Sequence, residues 1–430
     1  MHPPTRMAGP VFLVVLVTAW ALAAGYGRAA VLWADQEGRR VLSLDTSLKG
    51  TALLSRAQGD PAAAGKRDSA VGLLRARFEL KYDHAGMMNT GFAYEHRMRR
   101  QTGTVAGAVL NILPGDEPAS YRITRLDRPV SRSGETFLWR HEIDRALISF
   151  HPAWGEVTLG RQAIGLGRGR LFSAVDMFAP FSPAEVDREW RRGVDAARVE
   201  YHLSGTSSLE CIGVFGNSWQ DSAFLARVRG YLGAVDGEFL LGRRGDDRLA
   251  AMITSAALWD AAVHAEAALF KIGEARPGFG ILGRDRLVAK AVLGASYTFN
   301  MGNGLTLLGE YHYSGFGLHD PREAARLLAT DRPLQKRFLR GDTQTLGRHN
   351  LGLQASYPVN EAANAGLLIL TSLRDGSGLV SPSVVWDVRR NVSLLAGAYA
   401  PWGPRPSGNV LRSEYGGTPW SLFLQVNIYY

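Results

Sequence analysis

The segment Trp420-Ser-Leu-Phe-Leu-Gln-Val-Asn-Ile-Tyr-Tyr430 limits what the chain can become more than any other. On a strand, Trp420, Leu422, Leu424, Val426, Ile428 and Tyr430 share one face, while Ser421, Gln425 and Asn427 share the other. One apolar face backed by a mostly polar one suits a strand wetted by lipid on one side and by water on the other. A soluble sandwich can also end on an alternating strand, so the rest of the chain has to decide.

Near the start, Arg6 precedes the apolar stretch Pro10 to Ala24, and Ala21-Leu22-Ala23 forms a small-x-small cleavage site of the secretory kind. That stretch is shorter than the roughly 20 apolar residues of a spanning helix. Residues 1–23 therefore read as a secretory signal peptide, with an uncleaved anchor as the alternative, and 24–430 as a single barrel domain. Charges interrupt every later apolar run, which excludes a bundle of membrane helices. Cys211 is the only cysteine, so no intrachain disulfide can form, and it reads as a small buried or lipid-facing residue. The net charge is +9, and only six of the 49 basic residues are lysines. An excess of this sign points to anionic lipid, anionic solutes or nucleic acid, and secretion argues against nucleic acid. The arginines are spread along the chain and do not form a basic tail.

Alternation recurs from about residue 40 to the end in segments of roughly ten residues, the length of a tilted transmembrane strand. Clear examples are Leu74 to Tyr82, Ala197 to Leu203, Phe224 to Leu232, Leu287 to Phe299, Leu305 to Tyr313 and Leu351 to Tyr357. The connections alternate in length. Short ones lie at 83–86, 152–155, 204–207, 300–304 and 389–391, and long ones at 100–135, 166–193, 273–285, 315–344 and 401–416. This predicts an all-β fold: a transmembrane antiparallel β-barrel of about eighteen strands, or sixteen if weak segments near 40 and 236 are misread. Short turns would face the periplasm and long loops the exterior of a Gram-negative outer membrane. A closed barrel also leaves no sheet edge in lipid.

If the apolar face meets lipid, the opposite face lines a lumen. The parity of Leu74, Ala76, Phe78, Leu80 and Tyr82 sends Arg75, Arg77, Glu79 and Lys81 inward. The same rule places Glu95, Arg97, Arg99, Arg198, Glu200, His202, Arg227, Arg229, Glu238, Glu266, Lys290, Glu310, His312 and Arg348 inside. A charge aimed at lipid costs about 2 to 4 kcal/mol at the midplane, which enforces that direction. These residues form a wall that is basic on balance. It either sets a field that admits anions, or its Arg and Glu side chains pair across strands and fill a wet interior.

The stretch from Arg161 to Arg198 holds Gly160-Arg161-Gln162, Gly165, Gly167-Arg-Gly-Arg170, Asp176-Met-Phe-Ala-Pro-Phe-Ser-Pro183, Asp187-Arg-Glu189, Arg191-Arg-Gly193 and Asp195. No P-loop lysine or βαβ setting accompanies its glycines, so phosphate binding does not follow. One arrangement folds this loop into the barrel, with Arg168, Arg170, Arg191 and Arg192 facing Asp176, Glu185, Asp187 and Glu189 across a constriction. The other leaves it outside, held by ordinary salt bridges. Parity puts Gln162 inside and Arg161 outside, which calls for a bulge or a strand end at that point.

The run Gly160-Arg161-Gln162, the Gly-Arg-Gly loop, Asp176, Phe178-Ala-Pro-Phe-Ser-Pro183, Asp187-Arg188-Glu189, Gly193-Val-Asp195 and Arg198-Val-Glu-Tyr201 resembles that of uncharacterised Gram-negative outer-membrane barrels, porin-like and similar to alginate-export barrels. Ser413-Glu-Tyr-Gly416 resembles them as well. The resemblance is in motif over residues 143–203 and at the C-terminus, and architectural elsewhere. It implies an outer-membrane channel, and an arginine-rich lumen of that kind would suit a polyuronate.

Three functions compete. A channel passing anionic or polar small solutes, or a polyuronate, needs only radius and charge. A receptor or adhesin would bind lipopolysaccharide or another acidic polysaccharide through loops 100–135 and 315–344, using Arg322, Arg326, Arg332, Lys336, Arg337 and Arg340. A barrel-embedded hydrolase needs a nucleophile beside a base, and no Gly-x-Ser-x-Gly motif sits next to His96, His141, His151, His264 or His349. The chain is therefore expected not to be an enzyme, and no cofactor or metal site is expected. Its other expected partners are outer-membrane lipid and the barrel-assembly machinery, the latter through the strand ending in Tyr430.

Overall fold

Two-residue alternation carries each strand to its sequence neighbour until the sheet closes on itself. In the computed structural model, residues 30–58, 68–103, 112–115, 120–124, 126–133, 136–276, 278–282, 284–407 and 410–430 are described, and the expected signal peptide lies outside them. The strands are β1 (Ala30–Ala34), β2 (Arg40–Arg56), β3 (Asp68–His84), β4 (Met88–Thr102), β5 (Asp127–Ser133), β6 (Phe137–Phe150), β7 (Gly155–Gln162), β8 (Val194–His202), β9 (Ser208–Phe215), β10 (Ala223–Leu232), β11 (Val235–Arg244), β12 (Asp247–Leu258), β13 (Ala261–Lys271), β14 (Leu287–Phe299), β15 (Leu305–Ser314), β16 (His349–Asn360), β17 (Ala363–Ser372), β18 (Gly378–Arg389), β19 (Val392–Trp402) and β20 (Trp420–Tyr429). Eighteen of them form a closed antiparallel barrel, sealed where β20 pairs with β2 from Ser47↔Tyr429 to Arg56↔Trp420. The remaining two extend its rims, β1 along β2 and β5 along β6.

Connections at one end of the barrel are no longer than five residues, as in 85–87, 233–234, 259–260 and 390–391. The other end carries 103–126, 163–193, 315–348 and 403–419, with 245–246 as a tight turn among them. Segment 315–348 contains the helices α1 (Ala324–Thr330) and α2 (Arg332–Arg340). The carboxylate of Asp331 caps α2 by accepting from the Leu334 N–H at 3.0 Å, and Gly341 ends it in the left-handed region at φ 81°.

The outer face is apolar from strand to strand. Phe78, Phe92, Leu159, Val228, Phe239, Met252, Leu293, Leu307, Leu353, Val384 and Leu422 are all exposed on it. Outward-facing charges such as Arg56, Asp68, Arg100, Arg243, Arg248 and Lys271 lie at strand ends. An apolar belt of this extent far exceeds the patches a soluble monomer exposes, so the barrel is built for lipid. Cys211 is exposed on this face.

The inner face departs from the expectation of a polar lining. By register it includes Leu53, Val71, Ile212, Leu225, Leu240, Val292, Leu308, Leu370 and Phe423, all buried. They pack with Leu166, Leu171, Phe172, Val175, Met177 and Phe178 of segment 163–193 in one continuous core. These inward apolar side chains avoid water because part of the chain fills the barrel beside them.

Candidate permeation pathway

Segment 163–193 touches strands all round the barrel. Its Asp187 meets Lys49 on β2 and Arg75 on β3, and Arg145 on β6 donates to the Arg191 carbonyl at 2.6 Å. Arg168 reaches Asp236 and Glu238 on β11, the Ala184 carbonyl accepts from Tyr399 on β19 at 2.7 Å, and Glu189 accepts from Tyr429 on β20 at 2.7 Å. Only a segment inside the cylinder can reach walls on every side.

Two wall carboxylates hold it there. Glu266 on β13 accepts from the backbone N–H groups of Arg168, Gly169 (2.7 Å) and Ala174 (2.7 Å) and from the Ser173 hydroxyl (2.9 Å). Glu310 on β15 accepts from the N–H groups of Arg170, Leu171 and Phe172 at 2.6, 2.9 and 2.9 Å. The glycine-rich stretch is therefore an anion cradle, filled by the protein's own carboxylates. Gly167 has φ +96°, and a Cβ there would lie 2.4 Å from the Glu266 oxygen, so this position requires glycine.

Two open cavities lie along β3. A cavity of about 590 Å³ at the long-loop end is lined by Arg75, Arg97, Arg99, Asp187, Trp190 and Gln344 among others. A second, of about 340 Å³ at the short-turn end, is lined by Arg77, Glu79, Lys81, Glu189, Trp190 and Tyr429 among others. Trp190 borders both, with Lys49 Nζ 3.8 Å from its ring centroid and the guanidinium carbons of Arg75 and Arg77 each at 5.2 Å. The cations on this wall have partners: Arg75 has Glu95 at 2.9 Å, Arg77 has Asp144 at 2.8 Å, and Lys81 has Asp45 at 2.7 Å.

All the inward parity assignments on the strands agree with the register, but the residues play different parts. Arg75, Arg77, Lys81, Arg97 and Arg99 border the open cavities. Arg198, Glu200, His202, Arg227 and Arg229 share the inward face of β8 and β10, where Arg198 pairs with Glu210 at 3.0 Å and Arg229 pairs with Glu200. Lys290 and Glu310 are buried, and the inserted segment binds Glu310 directly, so Glu310 is an anchor and not a pore surface. Arg348 sits just before β16 and donates to the Gly317 carbonyl at 3.1 Å, tying a loop at the long-loop rim.

The expected constriction needs correction. Of the set Arg168, Arg170, Arg191, Arg192, Asp176, Glu185, Asp187 and Glu189, only Arg191 and Asp176 form an ion pair with each other. Arg168 turns to β11, Arg170 is exposed, and Arg192 lies 3.6 Å from Glu142 on β6. Asp187 and Glu189 face the cations of the wall instead, Asp187 meeting Lys49 and Arg75, and Glu189 meeting Lys49. Glu185, with burial as the main cause, is pushed up to about 7. At Arg161 the expectation of a strand end holds, since β7 stops at Gln162. Arg161 faces outward and pairs with Asp195 at 2.7 Å, while the true bulge lies in β6, where both Asp144 and Arg145 are accommodated.

Sequence reasoning missed Lys49, Arg140, Glu142, Glu210, Trp190 and Tyr429. Lys49 carries the ordinary alternation signal of β2, whereas Trp190 lies in irregular chain where no periodicity could mark it. The basic loop residues invoked for a receptor are largely compensated: Arg322 pairs with Asp320 at 2.8 Å, Arg326 with Glu323 at 3.1 Å, Lys336 with Asp221 at 3.4 Å, and Arg337 and Arg340 with Asp247 and Asp342.

A closed barrel with a lipid-facing exterior and a chain segment folded into its interior places the chain among the large transmembrane β-barrels. Within that class, the chain is similar in fold to OccK9 (OpdG) of Pseudomonas aeruginosa, at TM-score 0.54 and 11% identity over 90% of this chain and 98% of that one. It is likewise similar to OccK11 (OpdR) of Pseudomonas aeruginosa, at TM-score 0.50 and 9% identity over 90% of this chain and 95% of that one. No family model and no curated protein sequence matches the chain.

Proposed function

We propose that this protein is an outer-membrane channel for small anionic solutes, entered from the long-loop side and left from the short-turn side. One observation carries the reading: two cavities follow one another along β3, with Arg99, Arg97 and Arg75 on one and Arg77 and Lys81 on the other. Cations at successive heights on one wall offer an anion a partner at each step, with binding weak enough at each for release. The acidic partners Glu95, Asp144 and Asp45 lower the net field without removing the hydrogen-bond donors. Small solutes are favoured over a polyuronate because the space is divided at Trp190 and is not one wide cleft. Lipid and lipopolysaccharide surround the apolar belt. The C-terminal strand, which pairs with β2 through Thr46 and Tyr430, is the segment that assembly machinery would engage before closure. No catalytic role is assigned.

The test is reversal potential in planar bilayers under a potassium chloride gradient. The expected sign is chloride over potassium, and a cation preference or a barrel without conductance would overturn the reading.

A further inference from the structure

Asp187 and Glu189 differ from the other carboxylates on the cation wall. Glu95, Asp144 and Asp45 belong to strands locked in the barrel, whereas Asp187 and Glu189 sit on irregular chain brought in by the inserted segment. Lys49 Nζ lies 2.7 Å from Asp187 and 2.6 Å from Glu189, and these are its only ion pairs among the described residues. Arg75 Nη1 lies 2.6 Å from Asp187. Asp187 lines the long-loop cavity and Glu189 the short-turn cavity, so each carboxylate can be reached by solute from its own side.

We propose that Lys49 and Arg75, beside Trp190, form a carboxylate-binding site at mid-channel that Asp187 and Glu189 occupy as tethered competitors of the permeating anion. This rests on the anion-channel reading above. Lys49 is 2% exposed, and a buried ammonium without a partner is strongly disfavoured. Simple opening is therefore costly, while exchange of one carboxylate for another keeps every cation paired throughout. Displacing both acids leaves two positive charges to be matched, which suits a dicarboxylate or two monocarboxylates passing in sequence. Tyr429 already donates to Glu189 at 2.7 Å and still holds that carboxylate once Lys49 lets it go. Trp190, against the same cations, separates the two chambers until the exchange occurs.

The experiment measures block of single-channel chloride current by succinate in planar bilayers. Removing the built-in competitors with Asp187→Asn together with Glu189→Gln is expected to lower the half-blocking succinate concentration about tenfold, the scale of one partly buried charge pair. Glu189→Gln alone changes a residue that is 41% exposed in its side chain, leaves the fold intact, and shifts block in the same direction. Lys49→Met is expected to abolish block in a barrel that still conducts, with heat-modifiable gel mobility reporting closure. If wild-type protein prefers chloride but succinate block is the same in Glu189→Gln, the double variant and Lys49→Met, the tethered-competitor inference is wrong and the channel reading stands. Wild-type protein that shows no anion preference sinks the channel reading itself.

Discussion

Glu266 concentrates at one residue the forces that keep the interior divided. Its carboxylate meets three backbone N–H groups and one hydroxyl of the inserted segment while buried in the barrel. Hydrogen bonds to a charged group contribute about 1.5–3 kcal/mol each, and an unmatched buried donor costs on the same scale. Glu266→Gln turns one acceptor oxygen into a donor aimed at N–H groups. It is expected to destabilise the barrel by about 2–4 kcal/mol in urea unfolding from detergent micelles, and to make single-channel current noisier. Glu185 gives a pH prediction. Burial raises its folded-state pKa to about 7 from an ordinary carboxyl value of 4.5. The folded chain keeps a proton that the unfolded chain has lost across that interval, so this group's contribution to stability falls as pH rises toward 7 and is level beyond it. In the same step a negative charge appears at the long-loop cavity, which Glu185 lines. Chloride preference is therefore expected to fall between pH 6 and pH 8, and a Glu185→Gln channel whose selectivity follows the same pH curve would exclude this side chain as the cause.

At the scale of elements, segment 163–193 supplies the centre of the main apolar cluster inside the barrel. Leu171, Phe172 and Val175 share one apolar cluster with Leu225, Leu240, Val292 and Leu308 on the inner wall, and Phe172 stacks on the His312 ring at 4.9 Å between centroids. Removing residues 165–190 is expected to give a barrel with severalfold greater conductance and loss of the anion-dependent block. It also wets several inward apolar side chains, each disfavoured by about 1.5–3 kcal/mol, so the shortened barrel should melt at lower temperature. Equal conductance in the shortened protein would mean that the open path does not run beside this segment. Helix α2 has the related task of closing the long-loop rim: Arg337 and Arg340 fix it to Asp247 and Asp342, while Phe338 and Leu339 face the cavity.

For the whole molecule, the environment outside the barrel is as decisive as the contacts within it. Leu293 lies at the centre of β14 on the outer face and is 62% exposed, which only a lipid surrounding makes favourable. Leu293→Arg is expected to cost about 2–4 kcal/mol in urea-dependent folding into phospholipid vesicles, against about 0–1 kcal/mol for Leu287→Arg at the strand end. Equal effects at the two positions would place the hydrocarbon boundary elsewhere. The strand count, the closure and the separation of long from short connections were legible in the sequence, because each depends on local periodicity and turn chemistry. The inward direction of Arg75, Arg97 and Arg227 was legible for the same reason.

Which inward residues border open space was not legible. Glu310 and Arg77 carry the same alternation signal, yet the inserted segment binds one and leaves the other at a cavity. The dry inner core was hidden too, since Leu240 and Phe423 read as breaks in a polar face until Phe172 and its neighbours are brought against that wall. Parity along a strand is fixed by backbone geometry two residues at a time, so the sequence alone determined the barrel and the sidedness of its charges. The pairing of Lys49 with Asp187, separated by 138 residues, depends on where an irregular segment comes to rest, and only the tertiary structure decides that.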